Sequence, residues 1–178
     1  MIFSPSTLPG VWSIAPQRHE DERGYFARTF CVREFTEQGL DPRLVQHSLS
    51  YNRRRGTLRG MHFQAPPHVE NKLVSCSRGA IYDVVLDVRP GSSTYGKWEA
   101  FTLSADNAAA VFIPAGCAHG FITLEDDATV RYDISEYHVP DAARGIRFDD
   151  PAFGIVWPLA PVVISPRDLA FPPFSAAD

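Results

Sequence analysis

Hydrophobic and polar residues alternate with a period of two along much of the chain from about position 45 onward. In the clearest case, apolar residues at positions 82, 84, 86 and 88 alternate with Asp83, Val85, Asp87 and Arg89. Pro-Gly-Ser-Ser at 90–93 then ends the predicted strand. Such alternation is typical of β-strands, because successive side chains point to opposite faces. The pattern predicts further strands at residues 97–104, 109–113, 119–124 and 129–136. Turn signals at 106–107 and 125–127 separate some of them. Many short strands at close spacing indicate a β-sandwich or barrel.

Two segments have the features of short helices. Residues 32–40 combine an apolar anchor, Phe35, with Gly39 as a stop signal. Residues 165–170 begin with Ser165, a good N-cap, followed by Pro166 at the first helical position. The tail from position 151 is rich in proline and aromatic residues, and we expect it to wrap around the β-structure. We therefore expect one domain over residues 1–178, with its core at about residues 45–140.

Composition narrows the function classes. The chain has 178 residues and a net charge of −4, which argues against a nucleic-acid-binding surface. The cysteines Cys31, Cys76 and Cys117 are odd in number and form no Cys-x-x-Cys pair, so we expect reduced thiols and a cytoplasmic protein. We expect neither a signal peptide nor a membrane span, because no basic segment precedes an apolar run at the start and no run of about 18 apolar residues occurs.

Two segments, residues 55–64 and 113–121, each place a histidine among glycines within β-rich sequence. A small β-barrel can bring two such imidazoles into its hollow. Their spacing resembles the two histidine motifs of the cupin jelly-roll. Metal-binding cupins have His-x-His in the first motif, whereas this chain has His62-Phe63-Gln64, so one metal ligand is missing.

One interpretation of these residues is a metal site. His62, His119 and Glu70 match the two-histidine, one-carboxylate set that binds non-haem iron. Gln64 is a poor substitute for an imidazole, and Lys72, close in sequence to Glu70, adds positive charge where a cation would sit. The sequence therefore favours a site without metal.

Acid–base chemistry fits the same residues better. Histidine accepts protons near neutral pH, a buried carboxylate can orient it, and a lysine can stabilise an oxyanion. His62, Lys72, Tyr132 and a late carboxylate together support proton abstraction next to a carbonyl. Taken singly, each also fits an ordinary structural role in the core or on the surface. Strand parity turns His62 and Tyr132 toward one cavity, and a bulge at Gly60 would turn Arg59 inward as well.

Across nearly its whole length the chain resembles the dTDP-4-dehydrorhamnose 3,5-epimerase family. The matching segments include Asp-Glu-Arg-Gly-Tyr-Phe at 21–26, Gly-Thr-Leu-Arg-Gly-Met-His-Phe-Gln at 56–64 and Ser-Pro-Arg-Asp at 165–168. Further matches lie at residues 71–74, 78–84, 113–121, 144–146, 149–151 and 154–158. The resemblance implies an all-β, cupin-like jelly-roll without metal, usually a homodimer. It also implies His62 as the base, Asp168 orienting it, Lys72 near the C4 carbonyl oxygen and Tyr132 as the proton donor.

The implied reaction inverts C3 and C5 of a nucleotide-linked 4-keto-6-deoxy sugar. It needs no cofactor, because the ketone of the substrate acts as the electron sink. By the same resemblance, substrate contacts fall on Arg23, Phe26, Gln46, Arg59, His119, Tyr137 and Arg167. The chain departs from the family pattern where Arg28 replaces a glutamate, Ser48 an asparagine, and the Ala142-Ala143 segment a nucleotide-contacting glutamate. These departures fall in the implied nucleotide pocket and leave the four implied catalytic residues intact.

Three other functions stay open at this point. A related enzyme can epimerise C3 alone, since Tyr132 by itself does not fix how many centres react. A metal-dependent cupin would contain iron in stoichiometric amounts. A non-catalytic sugar-binding module would bind the nucleotide sugar without exchanging its protons with solvent.

Overall fold

The computed structural model of the chain describes residues 1–174, and strands make up most of its regular structure. The strands are β1 (Ile2–Pro5), β2 (Trp12–Ala15), β3 (Arg18–Asp21), β4 (Gly24–Ala27), β5 (Gln46–Asn52), β6 (Leu58–Gln64), β7 (Lys72–Arg78), β8 (Ala80–Asp87), β9 (Trp98–Ser104), β10 (Ala110–Ile113), β11 (Cys117–Thr123), β12 (Ala128–Ile134) and β13 (Ala143–Gly145). The helices are α1 (Val32–Glu37) and α2 (Pro166–Leu169), with a 3₁₀ turn at Pro140–Ala142. Among the described residues, no helix is long and apolar enough to cross a membrane.

Two antiparallel sheets form the body of the fold. One has six strands in the order β1-β2-β10-β7-β12-β5, and the other has five in the order β13-β6-β11-β8-β9. Apolar side chains from both sheets, Val74, Val111 and Val130 from one and Ile81 and Phe121 from the other, pack into a shared core. The predicted all-β jelly-roll is confirmed. The hairpin β3–β4 forms a sheet of its own, which the strand pattern did not predict.

The chain termini cover the outer faces of the two sheets. Helix α1 buries Phe35 against the outer face of the six-stranded sheet, and Gly39 follows it with a φ of +73°. The C-terminal tail packs Phe153, Trp157 and Phe174 on the outer face of the five-stranded sheet. The two predicted helices are present, although α1 ends earlier than expected.

A bulge in β6 shapes the inner surface of the five-stranded sheet. His119 pairs with His62 and Phe121 pairs with Arg59, so two residues of β6 oppose one residue of β11. Gly60 has a φ of +140°, and a Cβ there would lie 2.4 Å from the Cα of Gly120. Two glycines are therefore needed where the strands meet. The bulge predicted at Gly60 is confirmed.

Candidate active site

A cavity of about 330 Å³ lies between the two sheets. His62 and Arg59 of β6 and His119 of β11 line its wall on the five-stranded sheet. Lys72 of β7 and Tyr132 of β12 line the opposite wall on the six-stranded sheet. This confirms that His62 and Tyr132 share one cavity and that the bulge turns Arg59 toward it.

His62 is held by a carboxylate from the C-terminal tail. Its Nε2 lies 2.8 Å from Oδ1 of Asp168, while Oδ2 accepts a hydrogen bond from the Gly60 N–H at 3.4 Å. Asp168 is buried, whereas the His62 side chain is 40% exposed. Burial alone raises the pKa of Asp168, but the hydrogen bonds from His62 and Gly60 outweigh it and keep the pKa below its usual range. Asp168 therefore stays ionised and fixes a proton on Nε2, which leaves Nδ1 to act as a base.

The sequence explains how Asp168 reaches this place. Ser165 caps α2 by accepting a hydrogen bond from the Asp168 N–H at 3.0 Å, and Pro166 occupies the first helical position. The resulting single turn holds Asp168 against β6, 106 residues along the chain from His62. A short local motif thus positions Asp168 beside a histidine that is distant in sequence.

Lys72 sits beside the base with its charge partly balanced. Its Nζ lies 3.0 Å from Oε1 of Glu70 and donates to the main-chain oxygen of His62 at 3.2 Å. The Gln64 amide donates to Oε2 of Glu70 at 2.9 Å and accepts from the Val139 N–H at 2.7 Å. Glu70 is therefore already paired with the Lys72 ammonium, and Gln64 is hydrogen-bonded to Glu70 and to Val139. This set of side chains does not fit a metal ion. Lys72 is placed to face an oxyanion instead.

Tyr132 lies across the cavity from His62, on the other sheet. Burial, with a smaller contribution from Asp83, raises the pKa of its phenol far above the ordinary value, although Arg59 acts in the opposite direction. The phenol therefore stays protonated at all ordinary pH values and is suited to donate a proton. A base and an acid on opposite walls allow a proton to leave one face of a substrate and another to arrive on the opposite face.

A second histidine–carboxylate pair lies in the wall of the cavity, where His119 is the member that lines it. Nε2 of His119 is 2.6 Å from Oδ2 of Asp83, and both side chains are almost completely buried. Oδ1 of Asp83 has no hydrogen-bond partner among the described residues. The His119 ring stands edge-on to Tyr132, with 5.8 Å between ring centroids. Asp83 was missed in the sequence, because in the alternation of β8 it occupies an ordinary polar position.

The expected substrate contacts divide into two groups. Ser48, Arg59, His119 and Arg167 line the cavity, as does Ala143. Gln46 lies at its margin, where its side chain accepts from the His138 N–H at 2.8 Å. Tyr137 is exposed beside it, and its carbonyl accepts from the Gln64 amide at 3.2 Å.

The other expected contacts are not brought to this cavity by the protomer. Arg23 and Phe26 lie on the β3–β4 hairpin, where Phe26 is 74% exposed and Arg23 pairs with Asp21 in solvent. Arg28 follows the hairpin and pairs with Glu34 at 2.9 Å. Arg28 lines a separate pocket with residues of the outer face of the six-stranded sheet, and none of the three lines the cavity that contains His62.

The cavity is strongly cationic. Its lining includes four basic residues, Arg59, Lys72, Arg144 and Arg167. Among the described lining residues the acidic one is Glu70, which is already paired with Lys72. Guanidinium groups bind phosphate oxygens with two hydrogen bonds at once. The cavity can therefore hold an anionic ligand next to the histidine base.

Comparison with known proteins adds a family context to this geometry. The family model described as dTDP-4-dehydrorhamnose 3,5-epimerase matches residues 5–176. A dTDP-4-dehydrorhamnose 3,5-epimerase of Methanothermobacter thermautotrophicus is 44% identical, over 96% of this chain and 93% of its own length. A dTDP-4-dehydrorhamnose 3-epimerase of Streptomyces niveus is 40% identical, over 94% and 81% of the two chains.

Solved structures agree with the sequence comparison. The crystal structure of dTDP-4-dehydrorhamnose 3,5-epimerase from Elizabethkingia anophelis superposes with a TM-score of 0.94 at 34% identity, covering 98% of this chain and 96% of that one. The 3,5-epimerase of Legionella pneumophila, solved in complex with dTDP-4-keto-L-rhamnose, gives a TM-score of 0.90 at 35% identity and covers 96% and 90%.

Proposed function

The chain belongs to the dTDP-4-dehydrorhamnose 3,5-epimerase family, and from this premise we propose that it inverts C3 and C5 of a dTDP-linked 4-keto-6-deoxy sugar. The observation that carries the proposal is the pairing of His62 with the buried Asp168 across the cavity from a protonated Tyr132, with the Lys72 ammonium within hydrogen-bond distance of the His62 carbonyl. The Legionella pneumophila relative binds a sugar nucleotide of this class.

His62 is the base. Its Nδ1 takes a proton from the carbon next to the C4 ketone, while Asp168 stabilises the imidazolium that forms. The electron pair of the broken C–H bond moves into the ketone and makes an enolate. General-base catalysis of this kind contributes about 10²–10⁴ in rate.

Lys72 and Tyr132 complete the inversion. The Lys72 ammonium faces the enolate oxygen, and a single well-placed donor of this type contributes about 10²–10³ in rate. Tyr132 then returns a proton to the carbon from the opposite wall, at C5 in the first instance, and regains one from solvent. The ketone is restored with the opposite configuration, and no net oxidation or reduction takes place.

Arg59, Arg167 and His119 hold the diphosphate and the sugar, because they supply the cationic and donor groups that line the cavity. The three positions that depart from the family pattern lie in two places. Ser48 and Ala143 line this cavity, whereas Arg28 lies on the outer face of the six-stranded sheet. Residues 48 and 143 therefore act directly on nucleotide recognition in the same protomer.

The working unit is a homodimer. The hairpin β3–β4 exposes Phe26 and Arg23, and the edge strand β5 exposes Leu49 and Tyr51, so both surfaces are available to a second copy. A partner seated there places its own hairpin near this cavity, which reconciles the exposed position of Arg23 and Phe26 with a substrate contact. The three free cysteines fit a reducing compartment, and the proposed location is the cytoplasm.

The test is solvent exchange. The protein is incubated with dTDP-4-keto-6-deoxyglucose in D₂O, and the sugar protons are followed by NMR. Deuterium at both C3 and C5 supports the proposal. Deuterium at C3 alone indicates a 3-epimerase like the Streptomyces niveus relative, and nucleotide-sugar binding without any exchange indicates a binding module.

A further inference from the structure

Phe171 packs beside His62 but is not among the residues that line the cavity. Its ring is edge-on to His62, with 6.1 Å between ring centroids and 70° between ring planes. It does not line the cavity, whereas His62 does. Phe171 therefore touches the base from behind.

The seat of this ring is built into the neighbouring strand. Gly145 of β13 pairs with His62 of β6, and a Cβ added at Gly145 would lie 2.0 Å from Cζ of Phe171. The ring thus occupies the space that any other residue at position 145 would fill. Position 145 must stay glycine for the ring to reach His62.

The same tail segment also carries Asp168. Phe171 follows α2 by two residues, and Arg147 holds the segment by donating to the Leu169 carbonyl at 2.7 Å. Asp168 fixes one nitrogen of the His62 ring, and Phe171 restricts the ring from its edge. A hydrogen bond alone leaves an imidazole free to swing about that bond, whereas a second contact limits the swing.

We propose that Phe171 is a positioning residue for the base: seated on Gly145, it holds the His62 ring so that Nδ1 stays directed at the substrate. The inference rests on the proposed function, since it concerns the base of that reaction. A misplacement of a reacting group by about 1 Å can cost about 10²-fold in rate. Loss of this contact is expected to act on kcat and to leave KM almost unchanged, because Phe171 does not touch the substrate.

Phe171→Ala is the direct test, and Phe174→Ala is its matched control. Phe174 is an aromatic residue of the same tail, but it packs on Phe153, with 4.8 Å between ring centroids, away from His62. We expect Phe171→Ala to lower kcat about tenfold or more at constant KM and dTDP affinity, and to broaden the ¹⁵N-coupled Nε2–H signal of His62. Phe174→Ala is expected to lower the melting temperature and to leave kcat and the Nε2–H signal unchanged in the folded protein.

The inference is overturned if Phe171→Ala has the same kcat as the native protein. It is also overturned if Phe171→Ala and Phe174→Ala lose kcat equally. If the alanine variant does not fold, Phe171→Leu carries the test, with an expected loss of about threefold in kcat; an unchanged kcat then overturns it. The two proposals fail separately. Absence of exchange in the native protein refutes the proposed function, whereas native exchange with an unaffected Phe171 variant refutes this inference alone.

Discussion

Two histidines on the adjacent strands β6 and β11 line the cavity side by side, each paired with an aspartate, and the two pairs differ in almost every other respect. In the first pair, His62 is 40% exposed, and Asp168 comes from the distant tail with both carboxylate oxygens occupied. In the second, His119 is 4% exposed, and Asp83 comes from the adjacent strand with one oxygen unpaired. The same two residue types therefore give a half-exposed imidazole, which suits the proposed base, and an almost completely buried one, which forms a fixed part of the cavity wall.

The largest expected effect is loss of the exposed base. We expect His62→Ala to lower the rate of epimerisation by about 10²–10⁴, because proton abstraction then has no acceptor. Conversion of the sugar is followed by NMR and nucleotide affinity by dTDP titration. Affinity is expected to stay within a few-fold of native, because His62 faces the sugar carbon and not the diphosphate. Retained conversion in this variant would refute the assignment of the base.

The next largest effect on kcat is expected from changing Asp168, the carboxylate paired with His62. Asp168→Asn keeps the shape of the side chain but no longer stabilises the imidazolium, so we expect kcat to fall about 10²-fold. Asp83→Asn is the matched variant in the second pair and is expected to have a smaller effect on kcat at saturating substrate. A larger loss of kcat for Asp83→Asn than for Asp168→Asn would reverse the roles of the two pairs.

For stability the order is expected to reverse, so that the buried His119–Asp83 pair contributes more than the His62–Asp168 pair. His119→Ala leaves the Asp83 carboxylate buried without its partner, so the free energy of unfolding should fall by about 3–5 kcal/mol. His62→Ala also removes the histidine partner of a buried carboxylate, but Asp168 keeps the hydrogen bond from Gly60 and gains access to solvent through the space of the half-exposed ring, so the loss should be smaller. Urea unfolding measures both. The double variant His119→Leu/Asp83→Leu, which replaces both polar side chains with apolar ones, should recover most of the loss. Equal losses for His119→Ala and His62→Ala would contradict the comparison.

The smallest expected effect is the contribution of Tyr132 to the pH dependence of the free energy of unfolding. Tyr132 lies beside His119 of the buried His119–Asp83 pair. Burial raises the pKa of its phenol in the folded protein, whereas in the unfolded chain it titrates near its ordinary value of about 10. Above pH about 10 the unfolded state therefore binds fewer protons, and the free energy of unfolding falls by up to about 1.4 kcal/mol per pH unit. Below that pH the group contributes no slope. Tyr132→Phe should lack this contribution in urea titrations, and parallel curves for both proteins would show that the phenol is not shielded.

Local patterns in the sequence predicted much of this architecture. The Ser165 and Pro166 signals gave the helical turn that holds Asp168, and the glycine in the Arg59-Gly60 pair gave the bulge. Both depend on backbone preferences of a few adjacent residues. Strand parity also placed His62 and Tyr132 in one cavity.

The missed features depend on contacts between distant segments. Asp83 alternates with apolar residues as a surface residue would, but both faces of β8 are covered, one by the other sheet and one by the tail. Nothing adjacent to Phe171 indicates that Gly145 makes room for it beside His62. The family resemblance assigned Arg23, Phe26 and Arg28 to the substrate, but it could not show that the folded chain leaves them outside the cavity.

The most direct test of the account compares His62→Asn and His119→Asn in D₂O at saturating dTDP-4-keto-6-deoxyglucose, with the folded fraction of each variant measured under the same conditions. The account predicts no deuterium above background at C3 or C5 with His62→Asn, and continued incorporation at both carbons with His119→Asn. Incorporation by His62→Asn together with its loss in folded His119→Asn would contradict the assignment of the exposed pair as the base.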